Sequence, residues 1–131
     1  MIPAWNTGEM NVRCMIVDDH LGFLQAARKV LESGGVTVVG AASTCADAVE
    51  AAVQADPDVV LVDIALGAES GFDLARQLAT EARLRRTRVI LISTHAEEDF
   101  ADLLAVSPAI AFLPKWKLSA QAVNAALHQR P

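Results

Sequence analysis

The most constraining feature of this chain is a fivefold alternation of short, unbroken apolar runs with longer segments of helical spacing. The runs are Cys14–Val17, Val36–Val39, Val59–Val62, Val89–Ile92 and 109–113. They are continuous rather than alternating with polar residues, as strands covered on both faces are. Between them, Leu24, Ala27 and Leu31 recur on one helical face before the stop at Gly34-Gly35. Cys45, Ala48, Val49, Ala52 and Val53 follow Ser43 or Thr44 as cap and end at Asp56-Pro57. Leu74, Leu78 and Ala82 follow Ser70; Phe100, Leu103 and Leu104 follow the acids at 97–99; Ala122, Val123, Ala126 and Leu127 follow Ser119. Successive strand–helix units with short connections require right-handed crossovers, so the expected fold is a doubly wound α/β domain built on a parallel sheet. Residues 1–11 show no periodicity and are expected to be an unstructured lead-in, with the domain over 12–131.

In such a sheet, ligands bind beyond the carboxyl ends of the strands, near the reversal in strand order. Here those ends carry chemistry. The first run leads into Asp18-Asp19, the third into Asp63, the fourth into Ser93-Thr94, and the fifth into Pro114-Lys115. A single Asp after a strand is most simply a helix cap or turn residue. Four strand ends carrying three carboxylates, two hydroxyls and one ammonium point instead to an acidic cleft. Carboxylates so placed repel unless a cation or proton intervenes, and carboxylate plus water suits Mg²⁺ better than Zn²⁺. The three histidines, His20, His95 and His128, lack HxxxH spacing, and Cys14 and Cys45 form no CxxC. A carboxylate beside Mg²⁺ can attack a phosphoryl group, with Lys115 and the Ser93 hydroxyl meeting the phosphoryl oxygens.

Composition narrows the class. Eleven Lys and Arg against 16 Asp and Glu give a net charge of −5, which disfavours nucleic acid as the main partner. No apolar run approaches the ~20 residues of a membrane span, and the start MIPAWNTGEMN has neither the basic nor the apolar region of a signal peptide. A reduced, cytoplasmic chain is expected. At 131 residues there is room for one domain, so the output is expected on another chain.

The segments VRCMIVDDH, VVLVDIALGAESGFDLA, VILISTHAEED and AFLPK, in this order and spacing, resemble a bacterial two-component response-regulator receiver domain of the stand-alone type. The resemblance implies a flavodoxin-like sheet of order 2-1-3-4-5 with five helices. It implies Asp63 as phosphoacceptor, and Mg²⁺ held by Asp18, Asp19, Asp63 and the backbone carbonyl of Ala65, with Asp19 favoured over Asp18 as direct ligand. It makes Ser93 the switch hydroxyl, Phe112 the switch aromatic and Lys115 the phosphate-contacting lysine. The implied partners are a sensor histidine kinase or phosphotransfer protein and a separate downstream protein met by the fourth helix, fifth strand and fifth helix. A homodimer formed on phosphorylation is a further implied partner. The implied catalysis is limited to the chain's own phosphorylation and dephosphorylation.

This sequence departs from the family pattern at four places. Thr94 stands where Ala or Gly is common and is expected to restrict access, with His95 close enough to influence dephosphorylation. Gly67 replaces a frequent proline and Ser70 a frequent Asp, which predicts a more mobile acceptor loop. Trp116 follows Lys115 where a proline is common. Two other functions fit less of the pattern. An Asp-nucleophile phosphohydrolase normally carries a second Asp two residues after the first, and Ala65 is there instead. A receiver-like binding module indifferent to phosphate does not need the acids, Ser93 and Lys115. Elsewhere, Arg83, Arg85, Arg86 and Arg88 read as a solvated basic loop, or as a patch for an acidic partner. Glu97, Glu98 and Asp99 read as the dipole-compensated start of the fourth helix. His20 reads as a polar loop residue or a tuner of the acidic pair. Trp116 reads as a partner anchor or a packing residue, and the two cysteines as small buried apolar residues.

Overall fold

The computed structural model describes residues 12–128. The expected lead-in at 1–11 and the last three residues lie outside them. Five parallel strands, β1 (Arg13–Val17), β2 (Thr37–Ala42), β3 (Val59–Asp63), β4 (Arg88–Ser93) and β5 (Ala111–Pro114), form one sheet of order β2-β1-β3-β4-β5. This is the order the resemblance implies. Among the described residues, four α-helices connect them, α1 (Leu21–Ser33), α2 (Cys45–Ala55), α3 (Gly71–Thr80) and α4 (Ala101–Ala105), and α5 (Ala120–Leu127) follows the last strand. No helix among the described residues is long and apolar enough to cross a membrane.

The strand runs are continuous because each face of the sheet has its own core. Met15, Val17, Val60, Val62, Val89 and Leu91 point to one side, against Ala48 and Ala52 of α2 and Leu74, Ala75 and Leu78 of α3. Cys14, Ile16, Val59, Leu61, Ile90 and Ile92 point to the other, against Ala27 and Leu31 of α1 and Ala120, Val123 and Ala126 of α5. The strand order reverses beside β1: the chain passes first to β2 on one side, then to β3 on the other. The carboxyl ends of β1 and β3 therefore flank an open crevice.

Four local expectations are corrected. β2 runs on to Ala42, because Gly40, Ala41 and Ala42 pair with Met15, Ile16 and Val17. β5 covers Ala111–Pro114 rather than 109–113; its last residue pairs opposite Ser93 at the sheet edge, where a missing N–H is tolerated. The acids at 97–99 do not open the fourth helix: Glu97–Phe100 form a 3₁₀ turn, followed by a five-residue α4 with no buried residue. With only Phe100 and Leu104 packed against the core and Pro108 close behind, a longer helix has no apolar stripe to bury. Ala82 likewise falls outside α3, in a 3₁₀ turn over Ala82–Leu84.

The caps match their sequence signals. Thr44, Ser70 and Ser119 accept hydrogen bonds from the N–H groups of Asp47, Phe72 and Ala122. Asp56 ends α2 in the left-handed region. The loop after β3 is a two-residue antiparallel hairpin, Ala65–Leu66 against Glu69–Ser70, with Leu66 buried. Gly67 turns it at φ +61°, a value proline cannot adopt, so the departure from the family proline belongs to a formed hairpin rather than an open loop. Gly71 then brings α3 onto β3: a Cβ there would strike the Asp63 carbonyl, and its N–H bonds the Ile64 carbonyl at 2.7 Å.

Candidate functional site

All four strand ends singled out in the sequence meet at the crevice. Asp18, fully buried, is tied to β2 by its N–H on the Ala42 carbonyl (3.0 Å), and its Oδ1 accepts the His20 N–H (2.8 Å). Asp63, the last residue of β3, is 5% exposed. Its Oδ1 accepts the Ala65 N–H at 3.1 Å and its Oδ2 accepts from Lys115 Nζ at 3.1 Å. Lys115 lies just past β5 and also reaches Asp18 Oδ2 at 2.6 Å. Its ammonium sits 4.2 Å from the centre of the Phe23 ring, a cation–π contact. One ammonium thus serves two buried carboxylates, while Asp19 stays partly exposed beside them.

The electrostatics follow from burial. Desolvation pushes the Asp63 carboxyl above its ordinary range, and the Asp18 charge pushes the same way. The Ala65 N–H and the Lys115 ammonium pull it back without cancelling the rise. For Lys115, desolvation acts downward but is outweighed by its hydrogen bonds and charge interactions with Asp18 and Asp63, so the ammonium is held above its usual value.

Among the described residues, Asp18, Asp19, His20 and Asp63 each offer one ligand atom, all within 4.8 Å of one another. Asp18 Oδ2 is buried, with the Lys115 ammonium 2.6 Å away as its counter-ion. A carboxylate cluster whose two buried members share a single ammonium fits a divalent cation with oxygen ligands.

Ser93 closes β4, buried, with its Oγ accepting the His95 N–H at 3.0 Å. With Asp63, Lys115, Ala65, Thr94, His95 and Phe100 it lines a cavity of about 420 Å³. Phe112 is outside this lining; it packs on Phe100 (ring centres 6.3 Å), which in turn meets His95 edge-on (6.1 Å) and Phe72 (6.1 Å). Asp99, expected to cap a helix, instead lines the cavity. Sequence reasoning misses Phe23, whose place beside Leu24 on α1 gives no hint that its ring covers a lysine far along the chain. Trp116 is 63% exposed and reaches neither the cavity nor the core. The cysteines are buried as expected, and burial raises their thiols to about 12 (Cys14) and about 11 (Cys45), Glu69 adding to the latter. Arg83, Arg85 and Arg86 gather at the opposite edge of the sheet with Arg13, Asp56 and Asp58.

Comparison with known proteins gives one family. The response regulator receiver domain family matches residues 14–127. Protein PilH of Pseudomonas aeruginosa is 36% identical over 86 residues, which cover 66% of this chain and 70% of PilH. A protein-glutamate methylesterase/protein-glutamine glutaminase of Symbiobacterium thermophilum is 33% identical over 88 residues, covering 66% of this chain but 24% of that protein. The first relatives are thus matched over only about a quarter to a half of their length. Among solved structures, the signal receiver domain of NarL from Mycobacterium tuberculosis superposes with a TM-score of 0.78 at 31% identity, covering 92% of this chain and 98% of that one.

Proposed function

The chain belongs to the response regulator receiver domain family, and from that premise we propose that it accepts a phosphoryl group on Asp63 and switches a separate protein partner. The observation that carries this reading is the Asp63 carboxylate itself. It is buried at a strand end, fixed through one oxygen by the Ala65 N–H and through the other by Lys115, and opens on a cavity of about 420 Å³.

The residues divide the work. A lone pair of Asp63 forms the O–P bond as the P–N bond of a donor phosphohistidine breaks. The electrons of that bond return to the imidazole, which leaves neutral when its other nitrogen carries a proton. Lys115 and the Ala65 N–H fix the attacking carboxylate, and Lys115 then meets a phosphoryl oxygen as a charge-assisted donor. Ser93, whose Oγ only accepts in its bond with the His95 N–H, has its hydroxyl hydrogen free to donate to another phosphoryl oxygen. Asp18, Asp19, Asp63 and the Ala65 carbonyl would hold Mg²⁺, which supplies charge neutralisation and a fixed place for the phosphoryl oxygens. Thr94 and His95, at the rim of the cavity, control entry of donor and water.

The donor is a sensor histidine kinase or phosphotransfer protein in the cytoplasm. The turn of Ser93 toward the phosphoryl group on Asp63 changes the Phe112–Phe100 contact, and through it the face of α4, β5 and α5. A downstream protein or a second copy docks on that face. No reaction on a separate substrate is required of the chain. Incubation with Mg²⁺ and a small phosphodonor should add one phosphoryl group, stable in acid and labile in base, read by intact mass. Labelling should vanish in Asp63→Asn and with chelator; full labelling of that variant would exclude Asp63 as the acceptor.

A further inference from the structure

His20 occupies a position that the phosphoryl chemistry above does not use. It stands at the N-cap of α1, yet its side chain makes no capping hydrogen bond. Instead the ring turns back on the acidic pair: Nδ1 lies 3.2 Å from Asp18 Oδ1 and 3.1 Å from Asp19 Oδ1. The His20 N–H, bonded to Asp18 Oδ1 at 2.8 Å, fixes where the ring begins. Facing two acceptor oxygens, Nδ1 is the ring nitrogen that donates when no cation is bound; a cation bound at Nδ1 displaces that proton to the other nitrogen of this mostly exposed ring. Beside it, the buried Asp18 Oδ2 meets the Lys115 ammonium at 2.6 Å, a charge that Asp18 must share with Asp63.

We propose that His20 is a protein ligand of the cation site through Nδ1, and that it biases the site from Mg²⁺ toward ions that accept imidazole, such as Mn²⁺, Co²⁺ and Zn²⁺. The inference rests on the acidic-site reading above and adds one residue and a metal preference to it. Mg²⁺ takes oxygen ligands almost exclusively and gives up water reluctantly, so a nitrogen in its shell adds little. For first-row ions the same nitrogen strengthens binding, least for Mn²⁺ at the start of the series and more for Co²⁺ and Zn²⁺. The three carboxylates and the imidazole already present their ligand atoms within 4.8 Å of one another, so no rearrangement of the backbone is needed to gather them.

The test compares the purified full chain with His20→Asn, which keeps a good N-cap residue at this position and removes the ring nitrogen. Bound Mn²⁺ is followed by electron paramagnetic resonance, with Mg²⁺ affinity measured by competition. The wild type should show ¹⁴N modulation from a directly bound nitrogen, lost in His20→Asn and retained in His95→Asn. The Mn²⁺ preference over Mg²⁺ should fall in His20→Asn by about tenfold or more, the lower end of the range for perturbed metal shells. Absence of ¹⁴N modulation in the wild type, its survival in His20→Asn, or an unchanged preference would overturn the role of His20. If both ions bind and Asp63 is labelled, such a result leaves the phosphoacceptor reading standing. If neither ion binds, both readings fall.

Discussion

The two ends of the sheet carry cavities of nearly equal size, about 420 and 400 Å³, each lined with charge, and they use that charge in opposite ways. At the amino end, Arg13 donates to the carbonyls of Ala55 and Asp56 and so closes the end of α2, while Asp58 accepts the Arg13 backbone N–H. Arg83, an exposed side chain, pairs with the partly exposed Glu81. These charges are matched locally and screened. At the carboxyl end, two carboxylates are buried and share one ammonium, and a third stands beside them. Charge there is both shielded from water and incompletely neutralised, the condition under which it acts on a ligand rather than on the fold.

Lys115→Met breaks this contrast most directly. It leaves Asp18 and Asp63 buried without their counter-ion, and loss of one partner of a buried pair typically costs ~3–5 kcal/mol. A large fall in the urea midpoint at pH 7 without divalent ion is the expected outcome. The loss should shrink toward acid pH, because Asp63 then meets the missing charge with a proton. A variant as stable as wild type at neutral pH would mean that the two carboxylates are solvated after all.

Asp63→Asn acts on the same site with the opposite sign. Burial raises the folded pKa of Asp63, so the folded chain binds this proton more tightly than the unfolded one does. The stability contribution of the group is therefore lost as pH rises from the ordinary carboxylate range through the raised value. At pH 7 the charged form is a burden, and the substitution leaves Lys115 and Asp18 as a one-to-one pair. We expect a higher melting midpoint at pH 7, on the order of 1 kcal/mol, with the advantage disappearing on acidification below the raised pKa. Equal stability across that range would show that Lys115 fully compensates the buried charge.

The strand ends make most of the carboxyl-end site legible in the sequence. Asp18, Asp63, Ser93 and Lys115 each follow a continuous apolar run, and parallel strands can end only on a common edge. That constraint bridges the 52 residues between Asp63 and Lys115 without any knowledge of side-chain geometry. What it misses depends on how helices pack. The place of Phe23 over Lys115 follows from the seating of α1 on the sheet, and the inward turn of His20 follows from the cap geometry at its start. The fourth helix is shorter than its pattern implies. Acids before Phe100, Leu103 and Leu104 satisfy the local rule for a helix start, yet Leu103 is half exposed. Local spacing does not report whether a neighbouring surface exists to bury the stripe. The hairpin after β3 is not legible for a similar reason: Gly67 alone does not report the pairing of Ala65–Leu66 with Glu69–Ser70. The Glu69 carboxylate accepts the Cys45 N–H at the start of α2, and Gly71 seats on β3.

The smallest effect is expected at the amino end and gives the contrast its control. Arg83→Gln removes the partner of Glu81, whose carboxyl is held below its usual value by hydrogen bonds from the Arg83 side chain and backbone. The backbone N–H bond to Glu81 survives the substitution, and the exposed Arg83 end of the pair is screened by water. The urea midpoint should therefore stay within error of wild type at low and at high salt. A lowered Glu81 pKa implies stability present above the ordinary carboxylate range and lost as pH falls through the folded value, so any residual difference should fade in acid. That is the same direction as for Lys115→Met, which makes amplitude the discriminating quantity. A loss in Arg83→Gln approaching that of Lys115→Met would show that charge at the amino end is structural as well, and that burial is not what separates the two ends.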